Sequence, residues 1–536
     1  MSEIPLYPLL WQYLEHWASL FPNLPAIVFN ERTISYGELN KMTDRFAKAL
    51  ISLGINKGDR VLTILPQRPE FTILFLGACK IGAITVPMDI RYKKEEIRHL
   101  SHVIEPKVIV SIDQFRGNDF ATILDELKLE LSYVKYYVLV GESESLPTAL
   151  SFDYLLSNDY KQLEQELKRR KRSLRDEDDL IIVFTGGTTG KPKGAILSHK
   201  NVVSMNLGKQ TAWKLSHDDR MLVHLPPSHV GGSTDSIAQA IVSGVTMVML
   251  DYFRPDDTLK IIEKEKVTIL GQVPTMYRME FSLPDFEKYD LSSLRLLWVS
   301  GDKISSDLLE KMFKLCKPVV ISYGCTEADG VTVTRVEDSK KILKRPGYVG
   351  KPCQGYKIKI VDENRKILPP KNVGEIAIRG PIVSKGYYKM PEETANCFDS
   401  EGWFYTGDLG FLDRNGRLYI TGRKKEIIRT GSYTVLPKEI EDVLIVHPKV
   451  QLAAVVGVPD KIYGEVVWAF VVPKQGAKLT TEELKNLCTK KLSDYKIPRR
   501  FLIRDSIPMT RTGKIARKEL VDEARNIKEK EEKLAN

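Results

Sequence analysis

The sequence predicts a mixed α/β protein: a large N-terminal domain of layered α/β subdomains plus a β-rich subdomain, then a small α+β C-terminal domain. Three observations point there. Helical and strand-like apolar patterns alternate early in the chain, and from Gly347 the texture changes to short strands and turns. A compact helix–strand–strand–helix pattern then follows a basic turn near Arg423. With 536 residues, the chain is long enough for several domains.

Taken in order, Tyr36-Gly37-Glu38-Leu39 opens a run with apolar positions at helical spacing through Ala47, Leu50 and Ile51, and Gly54 stops it. Gly58-Asp59-Arg60 leads into a strand at 61–65. A second helical run starts at Pro69 and ends near Gly82, and 83–87 reads as the next strand. The run Lys168-Arg169-Arg170-Lys171-Arg172, followed by Asp176, Glu177, Asp178 and Asp179, reads as a solvated connector. Residues 180–184 form a buried strand pattern, repeated at 245–250, 268–270, 294–299 and 319–321. The β-rich part carries strands at 356–361, 374–379, 402–405 and 417–420. A boundary at Thr421-Gly422-Arg423-Lys424-Lys425 divides 1–423 from 424–536. Beyond it come a helix at 437–446, strands at 451–457 and 465–472, and a helix at 481–493. The charged tail after Glu519 reads as a frayed, solvated helix.

Composition narrows the function classes. Hydrophobic residues make up 43% and charged residues 28%, which excludes global disorder and collagen-like chains. The 80 basic residues exceed the 70 acidic ones, leaving a net charge of +10. No basic stripe with interleaved aromatics accompanies that excess, so a polyanionic small molecule fits better than nucleic acid. Six scattered cysteines form no C-x-x-C pair, so neither a zinc knuckle nor a disulfide framework is expected. MSEIPLYPLL lacks the pattern of a secretory signal, and no apolar run reaches membrane-spanning length. A cytoplasmic location is expected.

The loop after the 180–184 strand reads Thr185-Gly186-Gly187-Thr188-Thr189-Gly190-Lys191-Pro192-Lys193-Gly194. Glycines let backbone N–H groups approach phosphate oxygens, threonines add hydroxyl donors, and two lysines supply charge. It is not a Walker A loop, which needs Gly where Thr185 stands and Ser or Thr where Pro192 stands.

The stretch FTGGTTGKPKGAILSHKN resembles the phosphate loop of the adenylate-forming superfamily: acyl-CoA synthetases, adenylation domains and firefly-type luciferases. Four more segments resemble its motifs, in family order: Tyr323-Gly324-Cys325-Thr326-Glu327, Tyr405-Thr406-Gly407-Asp408, Gly422-Arg423-Lys424-Lys425-Glu426 with Val435 to Glu441, and Pro508 to Lys514. The resemblance implies a two-step ligase using ATP, Mg²⁺ and CoA. A carboxylate attacks the α-phosphate of ATP, pyrophosphate leaves, and a thiol then displaces AMP. By the same resemblance, Thr185, Thr188 and Lys193, with Gly186, Gly187, Thr189 and Gly190, cradle the β/γ-phosphates. Glu327 binds Mg²⁺, and Thr326 meets the α-phosphate. Asp408 takes the ribose hydroxyls, supported by Arg423. Adenine lies between Ser300-Gly301-Asp302 and Tyr323, beside Gly324, Cys325 and Ile420. Lys514 stabilises the adenylation transition state. The C-terminal domain is mobile about Lys425, and CoA threads past Gly431, Ser432 and Tyr433; Ser432 replaces the Gly common there. Alone, Glu327 would read as a helix N-terminal acid, Asp408 as a turn residue, and Tyr323 as a core aromatic.

The acyl pocket is expected at His229, Val230, Gly232 and Ser233, the small residues Gly231, Gly232 and Ser233 leaving room for an extended chain. A buried structural histidine is the bland reading of His229. Val230 stands where amino-acid-activating relatives carry an acid, and an unpaired ammonium would be costly there. The preferred substrate is a medium- or long-chain fatty acid. An aryl, short-chain or hydroxylated acid is the alternative, as is a carrier protein in place of CoA. No nucleic-acid partner and no transmembrane segment are expected, and a homodimer is left open.

Overall fold

The computed structural model describes residues 6–141, 144–185, 192–302, 304–345, 347–430, 433–460, 463–492, 494–510 and 514–535, without the side chains of Lys425, Arg429, Tyr433, Thr434 and residues 532–535. Among them, a sheet of seven strands runs in the order Lys193–Ser198, Asp179–Thr185, Ile84–Pro87, Arg60–Ile64, Val108–Ile112, Tyr136–Val140, Leu150–Ser151. It is parallel except where Asp179–Thr185 meets Lys193–Ser198. The helices covering it follow local rules. Ser35 caps Tyr36–Ser52, its Oγ accepting from the Glu38 N–H while Glu38 accepts from the Ser35 N–H. Pro69–Ile81 opens on its proline and is buried all round except at Glu70, as an almost wholly apolar helix between layers must be.

A second sheet of thirteen strands has a parallel half, built from Pro25–Phe29, Thr246–Met249, Arg220–Val223, Ile269–Gln272, Leu296–Val299 and Val319–Cys325. Val319–Cys325 then pairs antiparallel with Ala328–Val333. The sheet continues through Tyr348–Pro352, Leu418–Arg423, Phe404–Leu412, Gly374–Arg379 and Lys357–Val361, the β-rich part expected from the sequence. Residues after Ile428 build a separate sheet flanked by Pro437–Ile445, Thr481–Lys491 and Arg517–Ala535, with apolar clusters of its own. No helix among the described residues is long and apolar enough to cross a membrane.

Two expectations are corrected. The basic run is no solvated connector: Glu164–Ser173 is a helix, Lys171 pairs with Glu15 and Asp44, and Arg170 donates to the Ile55 carbonyl (2.5 Å). Asp44 also binds the wholly buried Lys80 (2.7 Å), so the charges dock a helix rather than solvate a loop. Nor is the C-terminal tail simply frayed, because Leu520 and Ala524 are fully buried against the strands Val450–Asp460 and Gly464–Pro473. In both cases one apolar or paired face was hidden among many charges.

A buried polar network sits where Arg220–Val223 and Ile269–Gln272 end. His224 Nε2 meets Gln272 Oε1 (3.1 Å), and Gln272 Nε2 donates to Glu280 Oε2 (2.6 Å), beside Tyr277. Burial pushes the Glu280 carboxyl up to about 8 and His224 down to about 4. Between pH 4.5, the ordinary value, and about 8, the unfolded chain ionises Glu280 while the native state keeps the proton, so this group lowers stability as pH rises. Glu280→Gln should therefore raise the melting temperature more at pH 8 than at pH 5. Equal shifts at both pH values would contradict the assignment.

Candidate active site

The parallel strands end on one crest, where chain reversals leave open backbone. A cleft of about 2440 Å³ lies over it, reached from both sheets and from the C-terminal unit. Thr185 and Lys193 stand on one wall as cross-strand partners, on either side of the Gly/Thr segment in the sequence. This strand–loop–strand setting differs from the strand–loop–helix of a Walker A site. Gly186, Gly187, Thr188, Thr189, Gly190 and Lys191 themselves lie outside the described residues, as do Gly431 and Ser432. Lys425 lies in the turn Lys424–Glu426 and Tyr433 opens the strand Tyr433–Val435.

Val319–Cys325 carries Tyr323, Gly324 and Cys325 into the cleft, and Thr326-Glu327 form the two-residue turn before Ala328–Val333. Glu327 is thus a hairpin-turn acid and not the helix N-terminal acid that it resembles in isolation. Asp408 is a strand residue rather than a turn residue: Phe404–Leu412 places it opposite Arg423 of Leu418–Arg423. Arg423 Nε lies 2.9 Å from Asp408 Oδ1, and the Tyr323 hydroxyl donates to Asp408 Oδ2 (2.8 Å). The carboxylate keeps Arg423 firmly charged, while burial, with Asp408 adding to it, raises the Tyr323 pKa so that the phenol stays a donor. Gly301, Asp302 and Ile420 line the same cleft, whereas Ser300, which follows the strand Leu296–Val299, does not.

Lys514, from the C-terminal unit, opens into this cleft and feels the charges of Arg423, Asp302 and Asp408. The surrounding protein strips enough water from its ammonium to lower the pKa, and Arg423 adds to the fall. His229 stands across from it. Burial lowers its pKa, and its Nε2 makes no hydrogen bond among the described residues.

The acyl segment differs from expectation. Val230, Gly232 and Ser233 do not line the cleft. A Cβ at Gly232 would stand 2.2 Å from the Pro226 carbonyl oxygen and 2.4 Å from that of Leu225, so this glycine lets the chain fold back on itself and leaves no room for a substrate. The Ser233 hydroxyl donates to the His229 carbonyl (3.0 Å), closing the turn. Local packing uses the small side chains.

Sequence reasoning missed two groups. Asp89, held by Arg91 Nε (2.7 Å), faces the cleft near His229. The Tyr387 hydroxyl donates to Glu327 Oε1 (2.6 Å), and the Lys193 ammonium sits 4.9 Å over its ring. Only Gly386-Tyr387, a glycine before an aromatic, could have signalled the second.

Comparison with known proteins decides the family. Residues 14–388 match the AMP-binding enzyme family, and residues 439–514 match the AMP-binding enzyme C-terminal domain. The chain belongs to the AMP-binding enzyme family. It is 32% identical to the long-chain-fatty-acid–CoA ligase of Bacillus subtilis (strain 168), over 97% of this chain and 96% of that protein. It is 30% identical to the medium-chain fatty-acid–CoA ligase of Escherichia coli (strain K12), over 94% and 88%. The crystal structure of the anthranilate CoA ligase AuaEII with anthranoyl-AMP superposes with a TM-score of 0.85 at 25% identity, covering 98% of this chain and 99% of that one.

For an AMP-binding enzyme, the Asp408–Arg423–Tyr323 cluster makes a direct prediction. A hydrogen bond to a charged group is worth about 1.5–3 kcal/mol. Asp408→Ala should therefore weaken AMP binding about ten- to hundredfold, read by calorimetry. Unchanged affinity would remove Asp408 from the nucleotide site.

Proposed function

We propose that this ATP-dependent, AMP-forming acid–CoA ligase activates a medium- or long-chain fatty acid through an acyl-adenylate. The observation that carries the reading is Lys514, a cation of the C-terminal unit brought into the cleft beside Asp408, Arg423 and His229. In the proposed first step a carboxylate oxygen of the acid bonds to the α-phosphorus of ATP and the bond to pyrophosphate breaks. Two anions must approach, so the barrier is largely electrostatic. Lys514 meets the charge that builds on the α-phosphate and carboxylate oxygens, while Thr326 orients the phosphate. Asp408 holds the ribose, and Lys193 with the Gly/Thr loop holds the β/γ-phosphates. Uncharged His229 borders the carboxylate without adding a second cation.

Glu327 suits Mg²⁺: it is a hard oxygen donor in the cleft, and no group of three His, Cys, Asp or Glu among the described residues forms a complete cage. An ion that keeps water and phosphate oxygens needs only one such carboxylate. Bound there, Mg²⁺ would neutralise charge on the triphosphate. In the second step the CoA sulfur bonds to the acyl carbon and AMP leaves. For that step we place the domain division between residues 423 and 424, with Lys425 as the hinge. The fatty-acid ligases among the relatives favour an unsubstituted alkyl acid.

With ATP, Mg²⁺, CoA and a saturated fatty acid, the expected products are acyl-CoA, AMP and pyrophosphate. Each added CH₂ is worth about 0.8 kcal/mol, or about fourfold in kcat/KM, until the pocket is full. ADP and phosphate would sink the mechanism, and higher kcat/KM for acetate or benzoate would overturn the fatty acid. Lys514→Ala should slow adenylation about 10²–10³-fold, yet leave thioester formation from synthetic acyl-AMP and CoA nearly unchanged. Equal slowing of both steps would contradict this role.

A further inference from the structure

Residues 384–388 belong to none of the nucleotide motifs, yet they stitch two of them together. This segment runs beside the strand Lys193–Ser198, which leaves the Gly/Thr loop. The Ile196 N–H donates to the Gly386 carbonyl (3.0 Å), the Lys385 N–H to the Ile196 carbonyl (3.2 Å), and the Tyr388 N–H to the Gly194 carbonyl (2.8 Å). Ala195 and Tyr387 form an antiparallel bridge between them. At its start, the Ser384 N–H donates to the Glu327 carbonyl (2.7 Å). One short strap therefore sets the loop's exit strand against the turn that carries Glu327.

Its conformation is written into the sequence at Gly386. The φ there is +116°, and a Cβ would stand 2.4 Å from Thr394 Cγ2, so any other residue would be strained and would have to displace the Thr394 side chain. The Tyr387 N–H donates to Thr394 Oγ1 (3.0 Å), which fixes where the tyrosine leaves the strap. Its side chain then touches both motifs: the hydroxyl donates to Glu327 Oε1 (2.6 Å), and the ring faces the Lys193 ammonium at 4.9 Å.

The electrostatic consequence follows. A lysine and a glutamate free to meet in a shielded cleft pair with each other and cancel. Tyr387 gives each a different partner. Its hydroxyl occupies one carboxylate oxygen and fixes the plane of the other, while its π-face holds the ammonium without neutralising it.

We infer that Tyr387 is a positioning residue of the adenylation step: acting through Glu327 and Lys193, it keeps the metal-binding carboxylate and the phosphate-binding ammonium apart and aimed at the same nucleotide. The inference rests on the reading of Glu327 as the Mg²⁺ carboxylate. Groups that orient a metal ligand are commonly worth about 10–100-fold in metal affinity or activity.

The test measures pyrophosphate release against Mg²⁺ concentration at saturating ATP and fatty acid, for the full-length enzyme and Tyr387→Phe, Tyr387→Leu, Glu327→Gln and the Tyr387→Phe/Glu327→Gln pair. Tyr387→Phe removes one oxygen and keeps the ring. It should raise the Mg²⁺ needed for half-maximal rate about 10–100-fold, with KM for the acid unchanged. Tyr387→Leu should also raise KM for ATP, because the ammonium loses its ring. The double variant should be no worse than Glu327→Gln alone, since the hydroxyl acts through that carboxylate. A residue that merely held the fold would lower kcat at every Mg²⁺ concentration, lower the melting temperature, and add its cost to that of Glu327→Gln. That pattern, or wild-type Mg²⁺ dependence in Tyr387→Phe while Glu327→Gln shifts it, overturns the inference and leaves the metal assignment standing. If Glu327→Gln itself leaves Mg²⁺ dependence unchanged, the metal assignment falls and takes the inference with it.

Discussion

The hydrogen bond from Tyr323 to Asp408, 2.8 Å long, constrains the whole nucleotide face. The two residues lie on strands four steps apart in the sheet, through Ala328–Val333, Tyr348–Pro352 and Leu418–Arg423. Neighbouring strands are about 4.8 Å apart, so a flat sheet would separate them by about 19 Å. Contact requires the antiparallel half to curl back over the end of the parallel half. Val319–Cys325 makes that possible, being parallel to one neighbour and antiparallel to the other. The cleft is the space under the curl.

Within that space, charge is arranged so that few groups cancel. Asp408 is committed to Arg423 and Tyr323, and Glu327 to Tyr387 through one oxygen. Lys514 is an exposed residue that feels the charges of Arg423, Asp302 and Asp408, and desolvation together with Arg423 lowers its pKa, so a polyanion is favoured beside it. Burial lowers the pKa of His229 and so adds no competing charge at neutral pH.

The segment after His229 and the strand after Glu327 share a foundation. Lys209, fully buried, pairs with Asp235, five residues past Val230, and lies 3.6 Å from Asp329, two residues past Glu327. Desolvation, with Asp329 adding to it, raises the Asp235 pKa, and both carboxylates support the Lys209 charge against its own burial. Removing one member of such a group leaves another charge unpaired in the interior, so the segment after His229 and the strand after Glu327 are held in one register.

Wherever the signal was local, the sequence alone determined the answer. Tyr36–Ser52 and Pro69–Ile81 follow from apolar spacing, caps and stop residues, and the α/β layering from their alternation with strands. The nucleotide motifs were legible because each is a short run whose residue types have few other uses. Tertiary structure decided whatever depends on a partner distant in the chain. Tyr323 and Asp408 are 85 residues apart, and Tyr387 and Glu327 are 60 apart. No periodicity encodes such pairs, because they arise from how the sheet curls and not from how either segment folds. The same holds for Lys171, whose burial depends on Glu15 and Asp44. Gly232 reads as open space from composition, yet its missing side chain is replaced by the carbonyls of Leu225 and Pro226. A sequence shows which atoms are absent, and only the fold shows what fills their place.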